Sequence, residues 1–153
     1  MHRRLLLPSM LILAAACGSG TDTQSQALTL EGIWTQSAHL VDSTHGDDHA
    51  HFGTYAFAQA AGGGYTGTGR QDGLCTGAGS HYTGPLADTT TFQITNATLT
   101  GRTLSFQRDI CTFSGSFVAG RNDRITGTAT CAYTRNGVDY SFSGGWQADR
   151  VSN

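Results

Sequence analysis

Residues 138–151 read Val-Asp-Tyr-Ser-Phe-Ser-Gly-Gly-Trp-Gln-Ala-Asp-Arg-Val, and they are the most informative stretch for the fold. Apart from the final Val151, the hydrophobic side chains share one parity, and polar side chains occupy most positions of the other. The hydrophobic set is Val138, Tyr140, Phe142, Trp146 and Ala148. Alternation with a period of two is typical of a strand that buries one face. The preceding Asn136-Gly137 pair is a strong signal for a hairpin turn, so the chain is predicted to end in an antiparallel hairpin.

The same alternation extends back towards the N-terminus. Further strands are predicted over residues 28–41, 51–60, 65–71, 90–100, 103–109, 110–119 and 124–134. A polar loop is predicted over 42–50, and the Gly-rich stretch 73–88 is the least legible part. Many short strands joined by hairpins favour an all-β fold, either a sandwich or an up-and-down barrel. We favour an antiparallel meander closing into a barrel of about eight strands, because closure pairs the first strand with the last and leaves no edge.

The strands on either side of residues 120–123 can be aligned by their hydrophobic pattern. If Phe117 faces Ile125, then Cys111 faces Cys131, and every matched pair lies on the hydrophobic face. Directly opposed cysteines in antiparallel strands can reach disulfide spacing, so this alignment predicts a Cys111–Cys131 bond. Two alternatives stay open, namely a bond from Cys75 to either of these sulfurs, or three buried thiols.

The N-terminus has the pattern of an export signal. A basic start, Met1-His2-Arg3-Arg4, precedes a hydrophobic run that ends in three alanines and Cys17. The run is shorter than the roughly 20 residues that a membrane-spanning helix needs. Three small residues followed by cysteine resemble the lipobox of bacterial lipoproteins.

The lipobox resemblance implies a signal helix over residues 1–16 that is removed, and a lipid on Cys17. It also implies anchoring to the cell envelope. Because no Asp follows Cys17, the outer membrane is the expected destination in a Gram-negative host. The polar residues 17–27 predict a flexible tether. Residues 28–153 then form a single barrel domain.

Composition excludes several classes of function. After removal of residues 1–16, seven arginines stand against eleven acidic residues, which gives a net charge near −4. Nucleic-acid binding would need a basic face instead. No G-x-S-x-G, H-E-x-x-H or phosphate-loop motif occurs, and Glu31 is the only glutamate, so no acid/base pair can be nominated. We therefore expect a non-enzymatic binding or structural module, whose protein or small-molecule partner the sequence does not identify.

Gly32-Ile33-Trp34 opens the first predicted strand, and Arg150 stands near the end of the last one. This combination resembles the calycin barrels, the group that includes the lipocalins. The resemblance implies that Trp34 packs at the closed end of a barrel beneath Arg150. It also implies the carriage of a small hydrophobic ligand.

The predicted lumen is rich in aromatic side chains. The inward set is Leu30, Trp34, Tyr55, Phe57, Phe92, Leu104, Phe106, Phe113, Phe117, Tyr133, Tyr140, Phe142 and Trp146. A barrel of about eight strands is either filled by side chains or holds one small ligand. A packed core is the simpler interpretation, and a ligand cavity is the alternative.

The sharpest chemical signal is a histidine-rich loop. His45, Asp47, His49 and His51 offer imidazole and carboxylate ligands that suit Zn or Cu. The spacing of His49 and His51 places both rings on one strand face, with His51 facing inward at the mouth of the barrel, whereas His39 falls on the outer face. The alternatives are a solvated turn with incidental histidines and a loop that responds to pH.

Overall fold

Eight antiparallel strands follow one another along the chain. They are β1 (Gly32–Asp42), β2 (Asp47–Gln59), β3 (Tyr65–Thr76), β4 (Thr90–Thr100), β5 (Thr103–Arg108), β6 (Cys111–Phe117), β7 (Arg124–Arg135) and β8 (Val138–Arg150). The structure, a computed structural model, describes residues 27–76 and 90–151. The predicted signal helix, Cys17 and nearly all of the predicted tether lie outside these residues.

The strands form a closed barrel in the order of the chain. Each strand pairs with its sequence neighbour, and β1 also pairs with β8, from Trp34 opposite Arg150 to Val41 opposite Ser143. The predicted all-β, eight-stranded up-and-down barrel is therefore confirmed. Closure pairs both chain-terminal strands, so neither presents an unpaired edge.

The predicted alignment of β6 with β7 is also confirmed. Phe117 lies opposite Ile125 and Cys111 opposite Cys131. The two cysteines form a disulfide. The alternative of a bond from Cys75 to either of these sulfurs is wrong, because each is bonded to the other.

The first strand begins later than predicted. Residues 28–31 are not part of β1, because Gly32 has a φ of 114° that bends the chain away from the strand direction. Leu30 is fully buried, so this segment folds across one end of the barrel. We call the end of the barrel that residues 28–31 cover the closed end. The opposite end, at the turns over residues 43–46, 109–110 and 136–137, is the open end.

The predicted polar loop over residues 42–50 is wrong in extent. Only residues 43–46 form the turn, and β2 begins at Asp47. The carboxylate of Asp42 accepts hydrogen bonds from the backbone N–H groups of Thr44 (2.9 Å) and His45 (3.2 Å), and Gly46 takes a φ of 74°. This tight turn lets the polar residues that follow it pair as a strand, which the period-two pattern of hydrophobic residues did not reveal.

The predicted inward residues face the lumen. All but Tyr133 and Tyr140 are buried, and those two are half-buried against the core. The centre of the barrel is an aromatic cluster in which Phe106 and Phe113 stack at 4.7 Å, while Trp146 and Tyr55 meet Phe106 edge to face at 5.6 and 5.4 Å. Such aromatic pairs add to the stability that burial provides.

Glycine makes room for this cluster at one position in particular. A Cβ atom at Gly69 of β3 would lie 1.9 Å from the ring of Phe92, which faces it on β4. The absence of a side chain at Gly69 therefore leaves the space that the Phe92 ring occupies. That ring in turn supports Arg108, which is described below.

Candidate ligand cavity at the open end

Aromatic packing does not fill the whole lumen. A cavity of about 360 Å³ remains at the open end. Much of its wall is hydrophobic, formed by Leu40, Ile110, Phe113, Phe142 and the Cys111–Cys131 disulfide. Its polar lining includes His49, His51, Gln71 and Arg108. A concave, mostly hydrophobic space with a few convergent polar groups has the character of a small-molecule site, and its size falls within the usual range for such sites.

Three of the polar residues form one connected group. Nη2 of Arg108 donates to Oε1 of Gln71 at 2.9 Å, and Nδ1 of His51 lies 3.1 Å from the same oxygen. A carbonyl oxygen can only accept, so the His51 ring holds its proton on Nδ1 and leaves Nε2 as an acceptor. Gln71 thus fixes the orientation of both a cation and an imidazole at the cavity wall.

The histidines of the cavity are held in their neutral form. Burial lowers the pKa of His51 to about 4, and the charge of Arg108 lowers it further, against the hydrogen bond that His51 donates to Gln71, which raises it. Burial also lowers the pKa of His49, although Asp47 and Asp48 oppose this effect. At neutral pH, Arg108 is therefore the cation that this lining presents.

Arg108 is held by aromatic rings rather than by an acid. The centre of its guanidinium lies 4.2 Å from the ring centroid of Phe92 and 5.9 Å from that of Phe113. Among the described residues no carboxylate forms an ion pair with it. Its Nε is buried without a hydrogen-bond partner there. Asp109 lies next in the chain and is exposed at the rim of the cavity.

Two further polar side chains face the lumen below the cavity. The hydroxyl of Tyr55 and both amide atoms of Gln36 are buried without a hydrogen-bond partner in residues 27–76 and 90–151. Burial raises the pKa of Tyr55 to about 12, despite the opposing charge of the neighbouring Arg108, so this hydroxyl stays protonated. Buried polar groups without partners are uncommon in folded proteins, and these two side chains belong to neighbouring strands, β1 and β2.

The predicted metal ligands are only partly brought together. The rings of His49 and His51 stack at 6.0 Å on the inner face of β2. His45 instead turns to Asp42, with Nδ1 at 2.9 Å from the carboxylate, and Asp47 is buried. No group of three or more His, Cys, Asp or Glu side chains in the described part of the chain is arranged to hold a metal ion.

Asp42, which was not among the predicted ligands, has a structural role. Besides the turn and His45, its carboxylate accepts a 3.0 Å hydrogen bond from the backbone N–H of Ser141 in β8. Together these hydrogen bonds, that from His45 first, lower the pKa of Asp42 to about 2. His39, predicted to face outward, does so and contacts Asp48 on the surface of the barrel.

The closed end brings Trp34 and Arg150 together. The guanidinium of Arg150 stacks 4.3 Å above the Trp34 ring and donates hydrogen bonds to the carbonyl oxygens of Thr29 and Glu31. The indole N–H of Trp34 donates to the carbonyl of Leu30 at 2.8 Å. These contacts fasten the segment that covers the closed end.

The sequence interpretation missed Arg108, Gln71 and Gln36. Gln36 and Arg108 follow the parity of inward hydrophobic neighbours, as Arg108 follows Leu104 and Phe106 in β5. A polar residue in an otherwise hydrophobic stripe is the signal that identifies these two. Gln71 shares its parity with Gly67 and Gly69, so the sequence offers no such signal for it.

Comparison with known proteins adds no further assignment. Neither a protein-family model, nor a curated protein, nor a solved structure matches this chain. Within residues 27–76 and 90–151, no helix has the length and hydrophobicity required to cross a membrane.

Proposed function

We propose that this protein is a non-enzymatic binding module of the bacterial cell envelope, whose barrel takes a small amphiphilic molecule into the cavity at its open end. The observation that carries the proposal is the cavity of about 360 Å³, with its hydrophobic wall and its group of fixed polar side chains. At roughly 30 Å³ per water molecule, this space equals about a dozen waters. That is room for a ligand of about ten non-hydrogen atoms.

The calycin-like features support the same proposal. Trp34 and Arg150 close one end of the barrel, so a ligand reaches the lumen through the other end. The metal alternative has less support, because only His49 and His51 of its four predicted ligands lie together.

The second part of the proposal concerns attachment. A lipid on Cys17 holds the protein at the membrane, in the outer membrane where the host has one, because two or more acyl chains suffice for stable anchoring. The polar residues that follow give the barrel freedom to stand clear of the bilayer. The chain joins the barrel at the closed end, so the cavity lies at the end remote from the attachment point.

Calorimetric titration tests the binding function. The chain from residue 17 onward, carrying Cys17→Ser so that no acyl chain competes, is titrated with sodium octanoate and with 1-octanol. We expect saturable binding of at least one of these probes, lost in Ala38→Phe, which fills the cavity, and kept in Ala56→Phe, which places the same ring on the outer face of β2. No heat of binding for either probe up to about 1 mM would show that the cavity is not a ligand site of this kind.

Mass spectrometry tests the anchor. Protein extracted from bacterial membranes should yield an N-terminal peptide that begins at residue 17 and carries acyl mass on Cys17. Cys17→Ser should move the protein out of the membrane fraction, while Cys75→Ser should leave it there. An unmodified N-terminal peptide from membrane-bound wild-type protein would refute the lipid anchor.

A further inference from the structure

The polar group of the cavity is asymmetric in charge. Arg108 is the cation, His51 is neutral with its proton turned towards Gln71, and Gln71 itself is uncharged. Among the described residues, Asp109 is the only acid of the cavity lining, and it is exposed at the rim rather than paired with the guanidinium. The described lining therefore carries one positive charge that no described carboxylate pairs with, against a hydrophobic wall.

A charge without an ion-pair partner beside a hydrophobic wall needs a counter-charge or water. Removing a charged group from water is costly unless it is paired, and stacking on Phe92 at 4.2 Å offsets only part of the loss of hydration at the half-buried Arg108. Nη2 of the guanidinium donates to Gln71, and the described residues leave Nε without a partner. Arg108 thus retains donors of the geometry that a carboxylate matches with two parallel hydrogen bonds.

The groups around the guanidinium suit a carboxylate in other ways. The Tyr55 hydroxyl is buried next to Arg108 and remains protonated, so it is a donor. Gln71 and Phe92 hold the guanidinium in one orientation, which lowers the entropy cost of binding. The remaining wall, with Leu40, Phe113 and Phe142, offers a hydrophobic surface to the rest of the molecule.

We infer that the ligand of this cavity is a small monocarboxylate with a hydrophobic body, whose carboxylate pairs with Arg108 while its hydrocarbon part packs against the wall of the open end. This inference rests on the proposed binding function and adds the chemical class of the ligand. One cation matches one negative charge. A dianion such as a phosphate monoester would leave a charge uncompensated in the same space.

Two probes that differ in their head group allow this inference to be tested separately from the binding function on which it rests. Sodium octanoate and 1-octanol share a hydrocarbon body and differ in charge, so their calorimetric affinities are compared at pH 7.5 and low ionic strength on the Cys17→Ser chain. We expect octanoate to bind about tenfold to a hundredfold more tightly than 1-octanol, the factor typical of a hydrogen bond to a charged group. Equal affinities, or tighter binding of 1-octanol, overturn the inference and leave the binding function standing. Failure of both probes overturns the function itself.

Variants then locate the charge. In Arg108→Gln, octanoate should lose its advantage over 1-octanol, and Arg108→Lys should keep only part of it because the planar fork is lost. Asp109→Asn removes the acid at the rim and should increase the preference for octanoate over 1-octanol. An unchanged preference for octanoate in a folded Arg108→Gln protein, shown by a wild-type circular dichroism spectrum, would contradict the assignment to Arg108.

Discussion

Replacing His51 with glutamine should change how the barrel responds to acid. The folded protein keeps His51 neutral down to a pKa of about 4, whereas the unfolded chain takes up a proton near the ordinary value of 6.5. Between these two values the unfolded state binds more protons, so the free energy of unfolding falls as the pH falls. Above the window both states are neutral and His51 has no effect.

The size of the effect follows from the two pKa values. Each pKa unit corresponds to about 1.4 kcal/mol. The difference between 6.5 and about 4 therefore predicts that His51 costs the fold up to about 3 kcal/mol at pH 4 relative to pH 7.5. This is a large share of the 5–15 kcal/mol that is typical of a domain, so a loss of this order is readily measured.

Urea unfolding followed by circular dichroism at pH values from 8 to 4 measures this difference, with the disulfide intact. The wild-type free energy of unfolding should fall more steeply with acidification than that of His51→Gln. The difference between the two, wild type minus variant, should decrease by about 3 kcal/mol from about pH 8 to about pH 4. Ala56→Gln, on the outer face of the same strand, should run parallel to wild type. Parallel curves for wild type and His51→Gln would contradict a lowered pKa of His51 in the folded barrel, because they would mean that the imidazole titrates alike in the folded and unfolded states.

Three other perturbations test the fold and the metal alternative. Reduction of the disulfide between β6 and β7, which spans 20 residues, should lower the free energy of unfolding by about 3 kcal/mol, measured by urea titration with and without reductant. Gly69→Ala should destabilise the barrel by about 1–3 kcal/mol because its methyl group would overlap an aromatic ring. The control Gly62→Ala, which has no atom within 4 Å of its new Cβ, should melt close to wild type. Equal melting temperatures for the two variants would contradict the packing of β3 on β4. Calorimetry with ZnCl₂ should detect no stoichiometric binding at low micromolar metal, since two imidazoles alone make an incomplete site; tight uptake that disappears in a His49→Ala/His51→Ala protein would restore the metal interpretation.

The sequence was most informative where one face of a strand is uniformly hydrophobic. The β6–β7 register could be predicted residue by residue because shifting either strand by one position would turn Phe113, Phe117 and Ile125 to the outside. The Cys111–Cys131 pairing followed from that register. Barrel closure was predictable for a related reason, since short hairpins make sequence neighbours pair and leave only the first and last strands to meet.

The period-two pattern of hydrophobic residues gave wrong predictions where buried polar residues stabilise the fold. The start of β2 was missed because Asp47 and His49 are polar and yet buried, which contradicts the usual association of polar runs with loops. The turn before it depends on the Asp42 carboxylate, whose partner Ser141 lies 99 residues away. No local window of sequence contains both residues of that contact.

The cavity was only partly predictable, because it also depends on residues that are distant from one another in the sequence. The aromatic residues that fill the centre of the barrel were identified from parity, but the empty space above them depends on the sizes of side chains from several strands. Arg108 and Gln71 lie 37 residues apart and meet because β5 and β3 both pair with β4. The sequence indicates that Arg108 faces inward, and the fold determines that it shares one wall with Gln71.

The most direct test of the proposed binding site is a map of where a ligand binds. Sodium octanoate is titrated into the isotopically labelled chain from residue 17 onward, carrying Cys17→Ser, and backbone amide chemical shifts are followed by NMR. We expect saturable shifts grouped at the open end, around Leu40, Arg108 and Phe142, with those near Trp34 at the closed end unchanged. Saturable shifts confined to the outer surface or to the closed end would contradict it.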